Sequence, residues 1–220
     1  MTSLPEDQSR INSRQSLIYH LQHYTTSFAE EAAFAPLFIE LLTHAHCYRR
    51  DHLPGHITGS AWIVDEQKKC CLLTHHAKLD RWLQPGGHAD GDEHVARVAL
   101  REAVEETGLQ NIMFGDNGIF DIDVHSIPER NGFPQHLHYD VRFAMRARMT
   151  DKLIVTVESH ALEWIPLDML ERITNQNDSI LRMAKKHLAA ELLRHDQHQG
   201  KRQHHHPKLV LTDCINVYIA

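Results

Sequence analysis

The chain has 220 residues, of which 42% are hydrophobic and 24% are charged, as expected of an ordinary globular protein with one or two domains. Its formal net charge is −6 at pH 7, which argues against nonspecific binding to a nucleic-acid backbone. No apolar run approaches the roughly 18 residues of a membrane span, and the polar N-terminus lacks the apolar core of a secretory signal. We therefore expect neither a DNA nor a membrane partner.

Cysteine and histidine usage indicates the compartment and raises one alternative function. The four cysteines show no disulfide framework spacing, so free thiols in a reducing cytoplasm are expected. The 20 histidines are scattered, with clusters at His75-His76 and at His204–His206. The triplet lies in a polar stretch and lacks the Cys/His pairs typical of structural zinc, which favours a solvated linker. A histidine-rich metal-binding protein remains the alternative.

The N-terminal region is predicted to be helical. Residues from about 9 to 45 contain one apolar stripe, formed by Leu17, Leu21 and Tyr24. Pro36 is expected to start or kink a second helix. We found no catalytic motif in this region. It is interpreted as an N-terminal helical extension over residues 1–50.

Strands and helices alternate along the rest of the chain, which indicates an α/β layered domain. A hairpin is expected from strands at 56–64 and 69–74, and alternating apolar residues predict further strands at 120–124 and 136–145. The segment 153–157 is interpreted as a short strand or an extended loop edge. Helices are expected at 169–173 and 179–194, and the tail contains apolar runs at 209–211 and 215–219. This pattern predicts a domain over 51–196 and a C-terminal tail over 197–220.

One predicted helix contains a cluster of acids. In the run Arg101-Glu102-Ala103-Val104-Glu105-Glu106, the three glutamates project from one face, because helical residues three and four apart are neighbours. Like charges at this spacing repel one another. A hard divalent cation that prefers oxygen ligands, Mg²⁺ or Mn²⁺, would relieve the repulsion. Such a cation polarises a phosphate and activates a water.

The flanks of this helix fit the same interpretation. Asp92 is the expected N-cap, and Gly108 is the expected C-terminal stop. Small residues such as Ala96 and Ala99 would let the helix pack closely on a sheet. The preceding Pro85-Gly86-Gly87 predicts a tight turn whose glycines allow the backbone to approach a metal or phosphate.

The segment from Gly87 to Leu109 resembles the Nudix hydrolase signature. The matching residues are Gly87, Glu93, Arg101, Glu102, Glu105, Glu106 and Gly108. One position departs from the pattern, with Ala103 where a larger aliphatic residue is usual. The resemblance extends over roughly residues 53–193. It implies an α/β Nudix fold, in which a mixed β-sheet lies between helices.

The resemblance also implies roles for individual residues. Its expected metal ligands are the carbonyl of Gly87 and the carboxylates of Glu102, Glu105 and Glu106, with Glu105, Glu106 and Arg101 in the catalytic machinery. Arg101 is expected to form an ion pair with Glu93 that orients the acids. Glu158 lies six residues before Trp164. This spacing resembles a family branch in which a loop acid supplies a fourth ligand or the general base, and Glu163 competes for that role.

The activity implied by the resemblance is hydrolysis of a diphosphate linkage, usually in a nucleoside diphosphate joined to another group, by water attack on phosphorus with Mg²⁺ or Mn²⁺. The expected partner is a small-molecule diphosphate, and a homodimer is left open. A catalytically weak Nudix-like ligand sensor is the main alternative. Candidate substrate contacts fall into two groups, cationic residues for the phosphates and aromatic rings for a base: Arg81, His88 and Arg142; Trp62, His138, Tyr139 and Phe143.

Overall fold

The structure is a computed structural model that describes residues 11–115, 118–130 and 132–202, with side chains described up to 194. It contains five α-helices within these residues and a single 3₁₀ turn at Leu167–Met169. The helices are α1 (Arg14–Gln22), α2 (Ala29–Leu41), α3 (Val95–Thr107), α4 (Leu170–Ile173) and α5 (Asp178–Arg202). The chain divides into two compact units, Met1–Ala184 and Lys185–Ala220. The sheet and every site described below belong to the first unit.

Eight strands form one sheet in the described part of the chain. They are β1 (Gly55–Val64), β2 (Cys70–His76), β3 (Arg81–Leu83), β4 (Gly86–His88), β5 (Met113–Phe114), β6 (Asp121–Ile127), β7 (His136–Arg146) and β8 (Ser159–Pro166). Strands β1 and β7 run parallel from Gly55↔Leu137 to Val64↔Arg146. The other pairings are antiparallel, including the short contact that places Gly87 opposite Gly59.

Each face of the sheet is covered by helical residues. Side chains alternate between the two faces of a strand, so Ile57, Ala61 and Ile63 of β1 belong to one core together with buried residues of α1, α2 and α3. Trp62 and Val64 belong to a second core that includes Ile180 and Met183 at the start of α5. The predicted fold, a mixed sheet between helices with N-terminal helices, is confirmed.

Several local predictions differ from the structure. Helix α3 begins at Val95 and its N-cap is His94, not Asp92. The Asp92 carboxylate instead accepts the His94 N–H at 2.9 Å and pairs with Arg97 at 2.7 Å, so it stabilises the same turn from outside the helix. Of the two forms predicted for the segment 153–157, the structure has the loop, tied by the Ile154 N–H to the Thr107 carbonyl at 2.8 Å. The predicted tail strands lie outside the described residues.

A buried ion network connects β6, β7 and α5. The guanidinium of Arg142 pairs with Asp121 at 3.0 Å, Asp123 at 3.1 Å and Asp140 at 2.8 Å. Arg182 pairs with Asp121 at 2.8 Å and with Asp123 at 2.9 Å. Arg142 is only 3% exposed at its side chain, so the prediction that it contacts substrate is wrong. Its charge is neutralised by three buried carboxylates and therefore serves to stabilise the fold.

The helices show no membrane-spanning character. Within the described ranges, none of them combines the length and the apolar surface that crossing a bilayer requires.

Candidate active site

The predicted site forms where α3 packs against the short strand β4. The backbone N–H of Gly86 donates to the Glu106 carboxylate at 3.0 Å. A Cβ atom at position 87 would lie 2.5 Å from the Glu102 carboxyl carbon, so a side chain there would displace that carboxylate. Helix α3 ends as predicted at Gly108, which adopts the left-handed conformation with φ of 74°. Gly86 and Gly87 lie in strand β4 rather than in the predicted tight turn, and β4 is in direct contact with the acidic helix face.

Arg101 joins the acids to the β4 backbone. Its guanidinium donates to the His88 carbonyl at 2.8 Å and to the Glu102 carboxylate at 2.5 Å, and it lies 3.9 Å from Glu105. The predicted pairing of Arg101 with Glu93 is wrong. Glu93 precedes α3 and pairs with Arg14 of α1 at 3.0 Å, because the N-terminal extension packs beside it. Arg101 thus orients Glu102 without help from Glu93.

Glu158 reaches the signature acids from another part of the chain. It lies in the turn before β8, where its carbonyl accepts the Ala77 N–H at 2.9 Å and its N–H donates to the Thr156 hydroxyl at 3.3 Å. Its negative charge contributes to the raised pKa values of Glu102 and Glu106. Glu163 occupies an exposed position of β8 opposite Leu73. The structure therefore brings Glu158 into the electrostatic field of the acid cluster.

Burial and repulsion shape the protonation of this cluster. Burial raises the pKa of Glu106 to about 7; the hydrogen bond from Gly86 opposes this rise, and the charges of Glu102, Glu158 and Glu105 add to it. The pKa of Glu102 is also raised, chiefly by burial, against the lowering effect of Arg101. The site thus holds more negative charge than its protein partners neutralise.

This arrangement fits a hard divalent cation. The donors are carboxylate oxygens of Glu102, Glu105, Glu106 and Glu158, together with the backbone carbonyl of Gly87. Oxygen-only donor sets suit Mg²⁺ and Mn²⁺. The close approach at Gly87, which a Cβ would block, leaves the backbone of β4 against the Glu102 carboxylate. These residues would hold the cation.

A cavity of about 230 Å³ includes His88 of β4, the strand that contacts the acids. Its lining residues are Arg50, His88, Ile127, Phe133, His136 and His138. Arg50 pairs with Asp90, and the charges of Glu102 and Glu158 raise the pKa of its guanidinium further. Sequence reasoning missed Arg50, because the charged run Arg49-Arg50-Asp51 carries no motif. It also missed the histidines as a group, although His136 and His138 alternate on one predicted strand.

The candidate substrate contacts are only partly supported. Trp62 and Phe143 are 0% exposed and belong to the two cores, so the prediction that they stack on a base is wrong. Tyr139 packs edge-on against Phe38, with ring centroids 5.3 Å apart. Of the remaining candidates, Arg81 is exposed on β3, whereas His88 and His138 line the cavity.

Comparisons with known proteins agree with this fold. The sequence model of the NUDIX domain matches residues 54–184, more than half of the chain. The structure resembles a MutT protein from Methanosarcina mazei Go1 with 18% identity and a TM-score of 0.50, over 61% of this chain and 94% of that one. It also resembles a C. elegans Ap4A hydrolase with 17% identity and a TM-score of 0.49, over 62% and 97% of the two chains. No curated protein sequence matches the chain.

The fold and the acid-bearing helix thus define a hydrolase of the Nudix class. By its domain match the chain belongs to the Nudix family, and it is a Nudix-type pyrophosphohydrolase.

Proposed function

We propose that this protein is a divalent-cation-dependent hydrolase that cleaves a diphosphate linkage in a nucleoside diphosphate derivative or a related compound. One observation carries the proposal. Four acids lie near one another beside the glycines of β4: Glu102, Glu105, Glu106 and Glu158. Burial raises the pKa of Glu106 to about 7, and the charges of the neighbouring acids contribute to the rise. A site of this charge binds cations, and a diphosphate cannot enter it without them.

When bound, Mg²⁺ or Mn²⁺ neutralises the diphosphate and lowers the pKa of a coordinated water. The protein's own contribution is placement. Arg101 holds Glu102 against the β4 backbone through its bonds of 2.5 and 2.8 Å. Gly87 lets that backbone approach the carboxylate closely. These contacts fix the acids before substrate arrives, which is the form of electrostatic preorganisation that enzymes use.

A carboxylate of the cluster accepts the proton of the attacking water. Glu158 lies in an exposed turn beside the cluster, where it can act as this base or as an extra ligand. Glu106 is the competing base, since a pKa of about 7 lies near the operating pH. After attack on phosphorus, the phosphate oxygen on the other side of the cleaved linkage leaves.

The proposal includes a small-molecule partner and a cytoplasmic location. The location is supported by the cysteines, since Cys47, Cys70 and Cys71 are all free thiols, two of them buried.

The test is a panel of nucleoside diphosphate derivatives assayed with Mg²⁺ or Mn²⁺ for released monophosphates. We expect Glu105→Gln to lower turnover on the best substrate by at least about 100-fold, because it removes a charge from the cation site while keeping the side-chain shape. Glu171→Gln, at an exposed position of α4, is the matched control and should retain full turnover.

Chelation provides the second half of this test. Excess chelator should abolish turnover and leave the circular dichroism spectrum intact. Full activity in chelator, or an unchanged rate in the Glu105 variant, would contradict the proposed site.

A further inference from the structure

Five histidines from four strands lie together on one face of the sheet. His56 of β1 is the register partner of His138 in the parallel pairing of β1 with β7. His136 points to the same side of β7 as His138, because side chains two residues apart share a face. The ring centroids of His56 lie 5.0 Å from those of His136 and 4.9 Å from those of His138. His88 of β4 and His125 of β6 contact the same group.

Three of these rings can direct nitrogen atoms toward one point. One ring nitrogen each from His56, His136 and His138 lies within 4.8 Å of the other two. Tetrahedral zinc, with Zn–N bonds of about 2.0–2.1 Å, places its ligand nitrogens about 3.4 Å apart. The three rings therefore need only small side-chain rotations to share one ion.

The hydrogen bonds of the outer ring nitrogens select the suitable tautomer. A carbonyl only accepts, so Nδ1 of His136 donates to the Pro134 carbonyl at 2.9 Å. Nδ1 of His56 likewise faces the His52 carbonyl at 3.4 Å. Each Nε2 then carries a lone pair. Histidines that bind metals are oriented in this way, with the second ring nitrogen bonded to a backbone carbonyl or a carboxylate.

Two of the inner nitrogens have no partner within the described residues. Nε2 of His56 and Nε2 of His138 are both buried without a hydrogen bond. His56 is 0% exposed, so water does not supply the missing bond from bulk solvent. A buried nitrogen without a hydrogen bond is unfavourable, and two of them on neighbouring rings call for a ligand.

Two of these rings are kept neutral. Burial is the main cause that lowers the pKa of His56 to about 4 and that of His138 to about 2, and the neighbouring histidines contribute to both shifts. Neutral imidazoles with free lone pairs are the form that coordinates a metal ion.

We propose that His56, His136 and His138 form a binding site for a single imidazole-preferring ion of the Zn²⁺ type, separate from the oxygen-lined cation site of the catalytic acids. His136 and His138 line the cavity of about 230 Å³, so the fourth coordination position faces that cavity and takes water or an anionic ligand. The two sites differ in donor chemistry. Imidazole nitrogens select Zn²⁺, Co²⁺ or Ni²⁺, whereas carboxylates select Mg²⁺ or Mn²⁺.

The experiment is a Co²⁺ titration followed by visible absorption, performed in excess Mg²⁺ so that the oxygen sites are occupied. The background is the full chain with His204, His205 and His206 replaced by alanine, which removes the histidine triplet of the tail. We expect one equivalent of Co²⁺ to bind with the intense visible bands of four-coordinate cobalt. His136→Ala and His138→Gln should each weaken binding by at least about 100-fold.

Two controls separate this site from other metal binding. His46→Ala changes an exposed histidine and should leave the titration unchanged. Glu105→Gln alters the proposed catalytic cation site and should also leave it unchanged. Unaltered cobalt bands in the His136 and His138 variants would overturn the proposal.

A second measurement does not require substitutions of the three proposed ligands. X-ray absorption of the Zn²⁺-loaded background protein should show three imidazoles around the ion. A first shell of oxygen atoms with fewer than three imidazoles, or no stoichiometric Zn²⁺ binding, would overturn the proposal equally.

Discussion

Because Gly87 has no side chain, the Glu102 carboxylate can lie directly against its backbone. Gly87 lies in β4 opposite Gly59 and against the Glu102 carboxylate. The contact leaves Glu102 free to keep its bond to Arg101. A methyl group there would force the carboxylate away.

We therefore predict that Gly87→Ala lowers turnover by at least about 10-fold, because a displacement of about 1 Å at a catalytic group is costly. The matched control is Gly118→Ala, since a Cβ at position 118 would meet only His20 and Ile11 at an ordinary 3.9 Å. Turnover and Mg²⁺ affinity are measured for both variants. Equal activity of the two would show that the close approach at position 87 has no functional role.

The second residue-scale prediction separates Glu158 from Glu163. Because Glu158 acts on the signature acids through its charge, Glu158→Gln should lower turnover, leave substrate affinity largely intact and change the acid side of the pH–rate profile. Glu163→Gln removes an exposed acid of β8 and should leave the rate nearly unchanged.

Rates and affinities of both variants are compared from about pH 6 to 10 at saturating Mg²⁺. A large loss only in the Glu163 variant would reverse the assignment. Little loss in either would move the general base to Glu102, Glu105 or Glu106.

At the scale of elements, the acids of α3 repel one another, and a bound cation would relieve that repulsion. Its glutamate face is packed against β4, and Glu106 is 8% exposed. Ionising that carboxyl in the folded state is unfavourable, because it is buried and three other acids surround it. A helix that carries this face is stabilised by any ligand that neutralises it.

The pH dependence of stability follows from the raised pKa. Glu106 ionises near its ordinary value of 4.5 in the unfolded chain but at about 7 in the folded protein. Its contribution to stability is fully present below the unfolded value and is lost as the pH rises through about 7. We predict that the metal-free protein loses up to about 3 kcal/mol of unfolding free energy between pH 5 and pH 8.

Urea unfolding at several pH values checks this prediction. Glu106→Gln should flatten the pH dependence, and Mg²⁺ should restore stability at pH 8 in the parent protein only. The Glu171→Gln variant serves again as the control. Parallel pH curves for the parent and the Glu106 variant would contradict the buried-carboxylate account.

At the scale of the whole molecule, the buried ion network fixes the strands behind the site. Arg142 and Arg182 share Asp121 and Asp123, and Asp140 completes the set. Asp140 also accepts hydrogen bonds from Thr58 at 3.0 Å and Ser60 at 2.7 Å, both in β1. The network thus connects β6, β7 and the start of α5 to β1, the strand that pairs with β4.

We predict that Arg182→Met destabilises the protein by about 3–5 kcal/mol, because it leaves buried carboxylates without their partner. Arg148→Met is the control. Arg148 forms a single pair with Asp151 and is 53% exposed, so its loss should cost less than about 1 kcal/mol. Chemical denaturation of both variants measures the difference, and similar losses would show that the network adds no more than a surface pair.

Local spacing was sufficient for the part of the site that lies on one helix. Glu102, Glu105 and Glu106 share a face because the helical period is a property of the backbone itself. The Gly108 stop follows from a left-handed backbone conformation that other residues avoid. The NUDIX domain match over residues 54–184 agrees with the family resemblance that this spacing indicated.

The partners of those residues were decided only by the tertiary structure. Glu93 pairs with Arg14 rather than Arg101 because α1 packs beside it, and Glu158 reaches the acids through the turn before β8. His56 meets His136 and His138 because β1 and β7 are parallel neighbours in one register. Strand register and helix docking depend on hydrogen bonds and burial summed over the whole sheet, so no local spacing in the sequence specifies them.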